Sequence, residues 1–175
     1  MSEEAFDRRI GQAARIHTKA MKRLRIYIDT SVIGGCLDPE FSEWSNSLMR
    51  DFASGTFMPL LSDVVAAEVD DAPEAVRRRY DDLLRSEHEF SLVTEEVIEL
   101  ADAYQRRGIL TSKFYDDGLH IALATIAEAD LLVSWNFRHI VHFDKIRLFN
   151  SVNLELGYKP LQIYSPREVT KTEED

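Results

Sequence analysis

Arg25-Ile26-Tyr27-Ile28-Asp29-Thr30-Ser31 is the stretch that decides how this chain is read. Ile26, Tyr27 and Ile28 are strand formers. Asp29 is not, and the hydroxyl residues after it suit a turn or a helix start. A strand that ends on an acid, with a helix to follow, is the entry unit of an α/β sheet. In open α/β sheets the chemistry lies beyond the carboxyl ends of the strands. Asp29 is therefore the first candidate site residue, and the question becomes which later acids can reach it.

On the amino-terminal side, residues 5–24 have the spacing of an amphipathic helix. Phe6, Ile10, Ala13, His17, Ala20 and Leu24 form its stripe, and most of the basic residues lie off it. Residues 1–25 hold seven Lys and Arg against three Asp and Glu, whereas the whole chain carries a net charge of −10. A basic extension over residues 1–24 thus precedes an acidic body over residues 25–169, and a polar tail over 170–175 follows it. An acidic chain is a poor indiscriminate binder of nucleic acid.

On the carboxyl side, Gly34-Gly35 allows only a short helix before a longer one over 41–53, and a buried strand follows over 56–61. Ser62 and Asp63 supply an N-cap and a first-turn acid for a helix over 64–70. Pro73 opens a helix reaching Ser86, and a third strand covers 90–93. Thr94 caps the next helix, which ends at Gly108. A helix over 113–129 is the longest expected, and strand four runs over 130–133. A last helix over 145–156 and a fifth strand over 161–164 complete the body. Strand alternating with helix or helix pair predicts a parallel five-stranded sheet with helices on both faces, a three-layer α/β domain. At 175 residues one domain is expected. No apolar run approaches the roughly 20 residues a membrane span needs. The first residues lack a signal-peptide core, and the single cysteine, Cys36, can form no internal disulfide; these point to the cytoplasm. There is no GxGxxG after strand one and no GK[ST] loop, which disfavours dinucleotide and P-loop readings.

Three acids sit where the local pattern calls for burial. Asp29 ends strand one, Glu68 interrupts the apolar run Val64-Val65-Ala66-Ala67-Glu68-Val69, and Asp117 opens the apolar helix segment Leu119–Ala127. A buried carboxylate is costly unless paired or bound to a metal, and no Lys or Arg has a matching core-facing position. Hard oxygen ligands are what Mg²⁺ or Mn²⁺ prefers. The plainer roles are an N-cap for Asp29, a solvated helix face for Glu68 and a dipole partner for Asp117. His120 reads as a local hydrogen-bond partner, and His139 and His142 as structural or exposed.

In this order, these segments resemble a PIN domain, and within that fold the VapC-type toxin ribonucleases of toxin–antitoxin systems. The resemblance covers about residues 25–169. It rests on Ile28-Asp29-Thr30-Ser31, on Ser62-Asp63-Val64-Val65-Ala66-Ala67-Glu68-Val69, and on Asp117-Gly118-Leu119-His120-Ile121-Ala122 leading to Leu131-Leu132-Val133-Ser134-Trp135-Asn136-Phe137-Arg138-His139-Ile140. It implies Mg²⁺- or Mn²⁺-dependent hydrolysis of RNA phosphodiesters, a homodimer and an antitoxin protein as partner. Carried over by position, Asp29, Glu68 and Asp117 are the metal-binding acids, and Ser31, ahead of Thr30, bonds an acid, water or phosphate. Many family members have a fourth acid after strand four. Here Asn136 stands in that place, able to accept a hydrogen bond or to coordinate through its carbonyl but adding no charge. That departure removes the charge on which a stable second metal would rest. Phosphate approach then needs cations, for which Arg138 and the basic extension are candidates.

Rival readings are a non-catalytic PIN-like RNA-binding or scaffold module and a housekeeping RNA-processing nuclease. A different metal phosphohydrolase is disfavoured, because Ser31 stands where an aspartyl-phosphate enzyme would carry a second Asp.

Overall fold

The structure, a computed structural model, describes residues 22–172. The helix expected over residues 5–24 falls outside them except for its last three residues, which belong to no regular element.

The entry strand forms as its sequence dictates: β1 spans Arg25–Ile28, and α1 follows over Thr30–Gly35. Then come α2 (Ser42–Ala53), β2 (Met58–Ser62), α3 (Asp63–Asp70), α4 (Glu74–Arg85), β3 (Glu89–Ser91) and α5 (Glu95–Arg106). A 3-10 turn (Ser112–Phe114) leads into α6 (Tyr115–Ile126), β4 (Leu131–Val133), α7 (Phe143–Glu155), β5 (Ile163–Tyr164) and α8 (Pro166–Val169). The caps read from the sequence are in place. The Ser62 hydroxyl accepts from the Val65 amide at 3.2 Å, and the Thr94 hydroxyl accepts from Val97 at 3.4 Å.

All strands run parallel in the order β3-β2-β1-β4-β5. Ile26, Tyr27 and Ile28 are fully buried although their side chains alternate between faces, so helices cover the sheet on both sides. The helices fall into two groups, α1 to α4 with α8, and α5 to α7. This is the three-layer α/β arrangement expected from the sequence. Among the described residues no helix is long and apolar enough to cross a membrane.

Register places the site. Ile28 is level with Val133, so the next residues, Asp29 and Ser134, leave the sheet side by side. At the opposite end, the Arg25 guanidinium donates to Glu89 at the start of β3 (3.0 Å from Nε) and to the carbonyls of Ala127 and Glu128. The Arg25 amide donates to Asp130 (2.8 Å). One arginine thus ties β1, β3 and the approach to β4.

Several boundaries differ from expectation. The helix expected over 113–129 is shorter. Phe114 leaves helical geometry at its start, and Glu128 (φ 50°) lies in the left-handed region past its end. α7 exceeds it by one residue, 13 against 12. β3 ends at Ser91 because the Val93 amide turns to the Asp63 carboxylate (2.9 Å). The short helix α8 was not foreseen. Ser165 and Glu168 form a reciprocal capping box around Pro166, and the Thr170 hydroxyl beyond it bonds Ser47 and Asp51.

Candidate active site

Asp29 lies at the mouth formed by β1 and β4, and it is 5% exposed. It occupies the N-cap position of α1, yet its carboxylate makes no capping bond. Instead Oδ1 accepts from the Ser31 hydroxyl (2.5 Å) and Oδ2 from the Ser134 hydroxyl (2.7 Å). Those hydroxyls are held in turn by the next strand's exit: Ser31 Oγ accepts from the Trp135 amide and Ser134 Oγ from the Asn136 amide, each at 2.9 Å. Burial pushes the Asp29 pKa above the usual carboxylate range, against the His120 charge and the two hydroxyls, and the Glu68 charge adds to the rise.

Glu68 comes from α3, half-buried. Thr30 donates to its Oε2, and His120 Nε2 lies 3.2 Å from the same oxygen. Thr30 and Ser31 therefore divide the work: one holds Glu68, the other Asp29. Burial raises the Glu68 carboxyl, but the hydrogen bond and charge of His120, with Thr30, outweigh it and leave the pKa lowered. His120 is itself buried, with Nδ1 2.7 Å from the Tyr27 hydroxyl, which lies 2.9 Å from Ser62 Oγ. Burial lowers the imidazole pKa, but the Glu68 hydrogen bond and the charges of Asp29, Glu68 and Asp117 outweigh it, and the pKa is raised. A protonated His120 donates from both nitrogens, so the Tyr27 oxygen accepts and its hydrogen points to Ser62.

Asp117 opens α6. Its Oδ1 accepts from Asn136 Nδ2 (3.0 Å), and its Oδ2 lies 2.8 Å from His139 Nδ1. Burial raises the Asp117 pKa despite His139, His120 and Asn136. Asn136 thus meets the acid with its amide nitrogen, while its carbonyl accepts from the His139 amide (3.0 Å). An aspartate here would set a like charge against Asp117, whereas the asparagine supplies a donor.

Asp29 and Asp117 are thus both within electrostatic reach of Glu68 at the carboxyl edge, and His120 senses all three acids. As a donor set they offer the hard oxygens a divalent cation prefers, in a site where burial and the Glu68 charge push Asp29 and Asp117 toward protonation. Among the described residues, however, no three His, Cys, Asp or Glu side chains are already drawn into a ligand cluster. The carboxylates rest on serine, threonine, amide and imidazole donors, which an ion would have to displace in part. Asp63, beside β2, keeps one buried carboxylate oxygen without a hydrogen-bond partner among the described residues.

Three participants escaped the sequence reading. Ser134, 105 residues from Asp29, gives no local signal of its role. His139 takes the structural of its two expected roles, buried, with Asp117 as a partner its sequence does not signal, and Tyr27 looks like any core strand residue. His120 does bond an acid, but on α3 rather than within its own turn.

Neither a family model nor a curated protein matches this chain. Among solved structures, the crystal structure of VapBC2 from Rickettsia felis bound to a DNA fragment from their promoter aligns over 81% of this chain and 98% of the matched chain, at 12% identity and a TM-score of 0.51. The crystal structure of FitAcB from Neisseria gonorrhoeae aligns over the same shares at 14% identity and a TM-score of 0.49. At such identity the Rickettsia likeness is one of fold, and the fold is PIN-like: five parallel strands between helical layers, with the acids at the carboxyl edge.

Proposed function

We propose that this chain is a metal-dependent endoribonuclease, the toxin partner of an antitoxin protein. The observation that carries the reading is the meeting of Asp29, Glu68 and Asp117 from three separate elements, each with dedicated donors, at the carboxyl edge of a PIN-like sheet. Asp29, Glu68 and Asp117 would hold Mg²⁺ or Mn²⁺. The ion, when bound, supplies a water of lowered pKa and polarises the scissile phosphate. Ser31 and Ser134 fix both oxygens of Asp29, and Asn136 with His139 fixes Asp117, so the acids meet a ligand already oriented. Glu68, partly exposed and held by Thr30 and His120, would orient the attacking water. Arg138, exposed on the loop after β4, offers positive charge to the phosphate.

A non-catalytic PIN-like module is the second reading, favoured by the absence of a ready-made ligand cluster among the described residues and by the neutral Asn136. The deciding experiment is cleavage of a mixed structured RNA pool in Mg²⁺, Mn²⁺ or EDTA by the wild-type protein, Asp29→Ala and Asp117→Ala. Discrete metal-dependent cuts are expected, with each variant slower by about 10²-fold or more. Equal inactivity of all three proteins, correctly folded and free of inhibitor, would sink the nuclease reading and leave the module.

A further inference from the structure

The loop after β4 does more than hold the acids. Ser134 and Asn136 bond Asp29 and Asp117, while the residues between and after them, Trp135 and Phe137, line a cleft of about 520 Å³. Phe41, Trp44, Val141 and Arg167 complete it, and its volume is that of a small-ligand site. Trp135 is the floor. Its ring stacks on Phe41 (centroids 4.4 Å, 24° between planes), and Trp44 and Phe137 meet it edge-on at 6.2 and 6.0 Å. The indole is fixed by a 2.8 Å bond from Nε1 to Ser45. It also fills the space above Gly35, where a Cβ would come within 2.7 Å of Nε1. Phe137 is 49% exposed, and Phe41 and Trp44 are partly so.

We propose that this cleft is a base-stacking platform for single-stranded RNA, seating nucleobases beside the phosphodiester offered to the acids. The proposal rests on the nuclease reading above and adds to it where the strand lies. Flat aromatic faces bind bases of any sequence, and stacking on arginine planes adds to it. Arg167 lies 5.0 Å from the Trp44 ring centre on one flank. Arg138 follows Phe137 and lies 5.6 Å from the Phe114 ring, which itself lies against His139. Among the described residues neither guanidinium has an ion-pair partner, so both are free to meet phosphates. Glu168 borders the cleft but is committed to the Ser165 amide and hydroxyl, and Glu40 stays exposed at the rim. Four of the nine lining residues are aromatic and Val141 is the one aliphatic among them, a lining that suits flat bases.

The test uses a convenience of the sequence: the chain has two tryptophans, Trp44 and Trp135, and both line the cleft. Short single-stranded RNA is titrated into the full-length Asp117→Asn protein, which is expected not to cleave, while tryptophan emission is followed. RNA is expected to quench it, and an oligonucleotide of equal length without bases is not. Adding Phe137→Ala is expected to weaken binding about tenfold, and Phe137→Tyr to restore it. In the cleaving protein, Phe137→Ala should act mainly on KM. Equal quenching by the abasic strand, or unchanged RNA affinity in Phe137→Ala, overturns the proposal. So does quenching by an amphipathic peptide without any by RNA. Wild-type cleavage without base-dependent quenching would leave the nuclease reading standing and remove this platform. Base-dependent quenching without cleavage would do the reverse.

Discussion

Two histidine–carboxylate pairs flank the site, and they settle in opposite states. In Glu68–His120 the acid is pulled below its ordinary range and the imidazole above, the two directions that favour an ion pair. In Asp117–His139 the acid is raised and the imidazole lowered, although the atoms are closer, 2.8 against 3.2 Å. Distance does not decide the matter. His120 faces three carboxylates, which together overcome its burial. His139 is lowered by burial, and Lys145, Arg138 and His142 add to that against the one Asp117 charge. A proton goes where several acids share it.

The comparison can be broken most forcefully at His120. His120→Ala removes the positive charge from among three acids and leaves Tyr27 with Ser62 alone. We expect a loss of about 2–3 kcal/mol, read from the urea midpoint, toward the low side for a buried pair because Glu68 is partly exposed. If the midpoint does not move, His120 is not the charge that holds the acids.

The next effect is on pH dependence. Glu68 lies below its ordinary 4.5, so its contribution is complete above that pH and fades as pH falls through the lowered value. His120 lies above its ordinary 6.5, so its contribution is complete below that pH and fades as pH rises through the raised value. His139, lowered, acts the other way: the fold gains as pH rises toward 6.5. Thermal midpoints across pH should therefore show a decline on the alkaline side that His120→Gln abolishes, worth about 1 kcal/mol. His139→Gln should leave that decline in place.

Asp29→Asn tests the acids themselves. With the folded Asp29 pKa raised above 3.8, ionisation disfavours the fold as pH climbs through that interval. The variant should be more stable than wild type by about 1 kcal/mol at neutral pH, with the gain vanishing in acid, and should lose any cleavage. The mildest change is His139→Gln at neutral pH, a few tenths of a kcal/mol, because Asn136 still holds Asp117. Histidine NMR titration sharpens the contrast without mutation: two imidazoles should move to opposite sides of the ordinary value.

The acids were legible because each contradicts its surroundings. Asp29 ends an apolar strand, and Glu68 and Asp117 sit in apolar helix runs. Their holders were not. Ser134 becomes a partner of Asp29 only because β4 pairs beside β1, a neighbourhood that sheet order creates and local pattern does not. Asn136 follows β4 as its position in the sequence implies, but its direction comes from the turn in which its carbonyl accepts the His139 amide. α8 left traces in Ser165, Pro166 and Glu168, yet four residues are too few for helical periodicity to register.

Arg25 carries a last consequence, and it concerns time. Every strand pairing here is parallel, so no hairpin can form early. The bonds of Arg25 reach across 64, 103 and 105 residues and can close only once β3 and the end of α6 have arrived. Such contacts are late in folding and chiefly set how slowly the native state comes apart. Arg25→Ala should accordingly shorten the life of the folded protein while hardly changing how fast it forms. The repulsion among the site's acids would likewise be met only after the chain has committed to its topology.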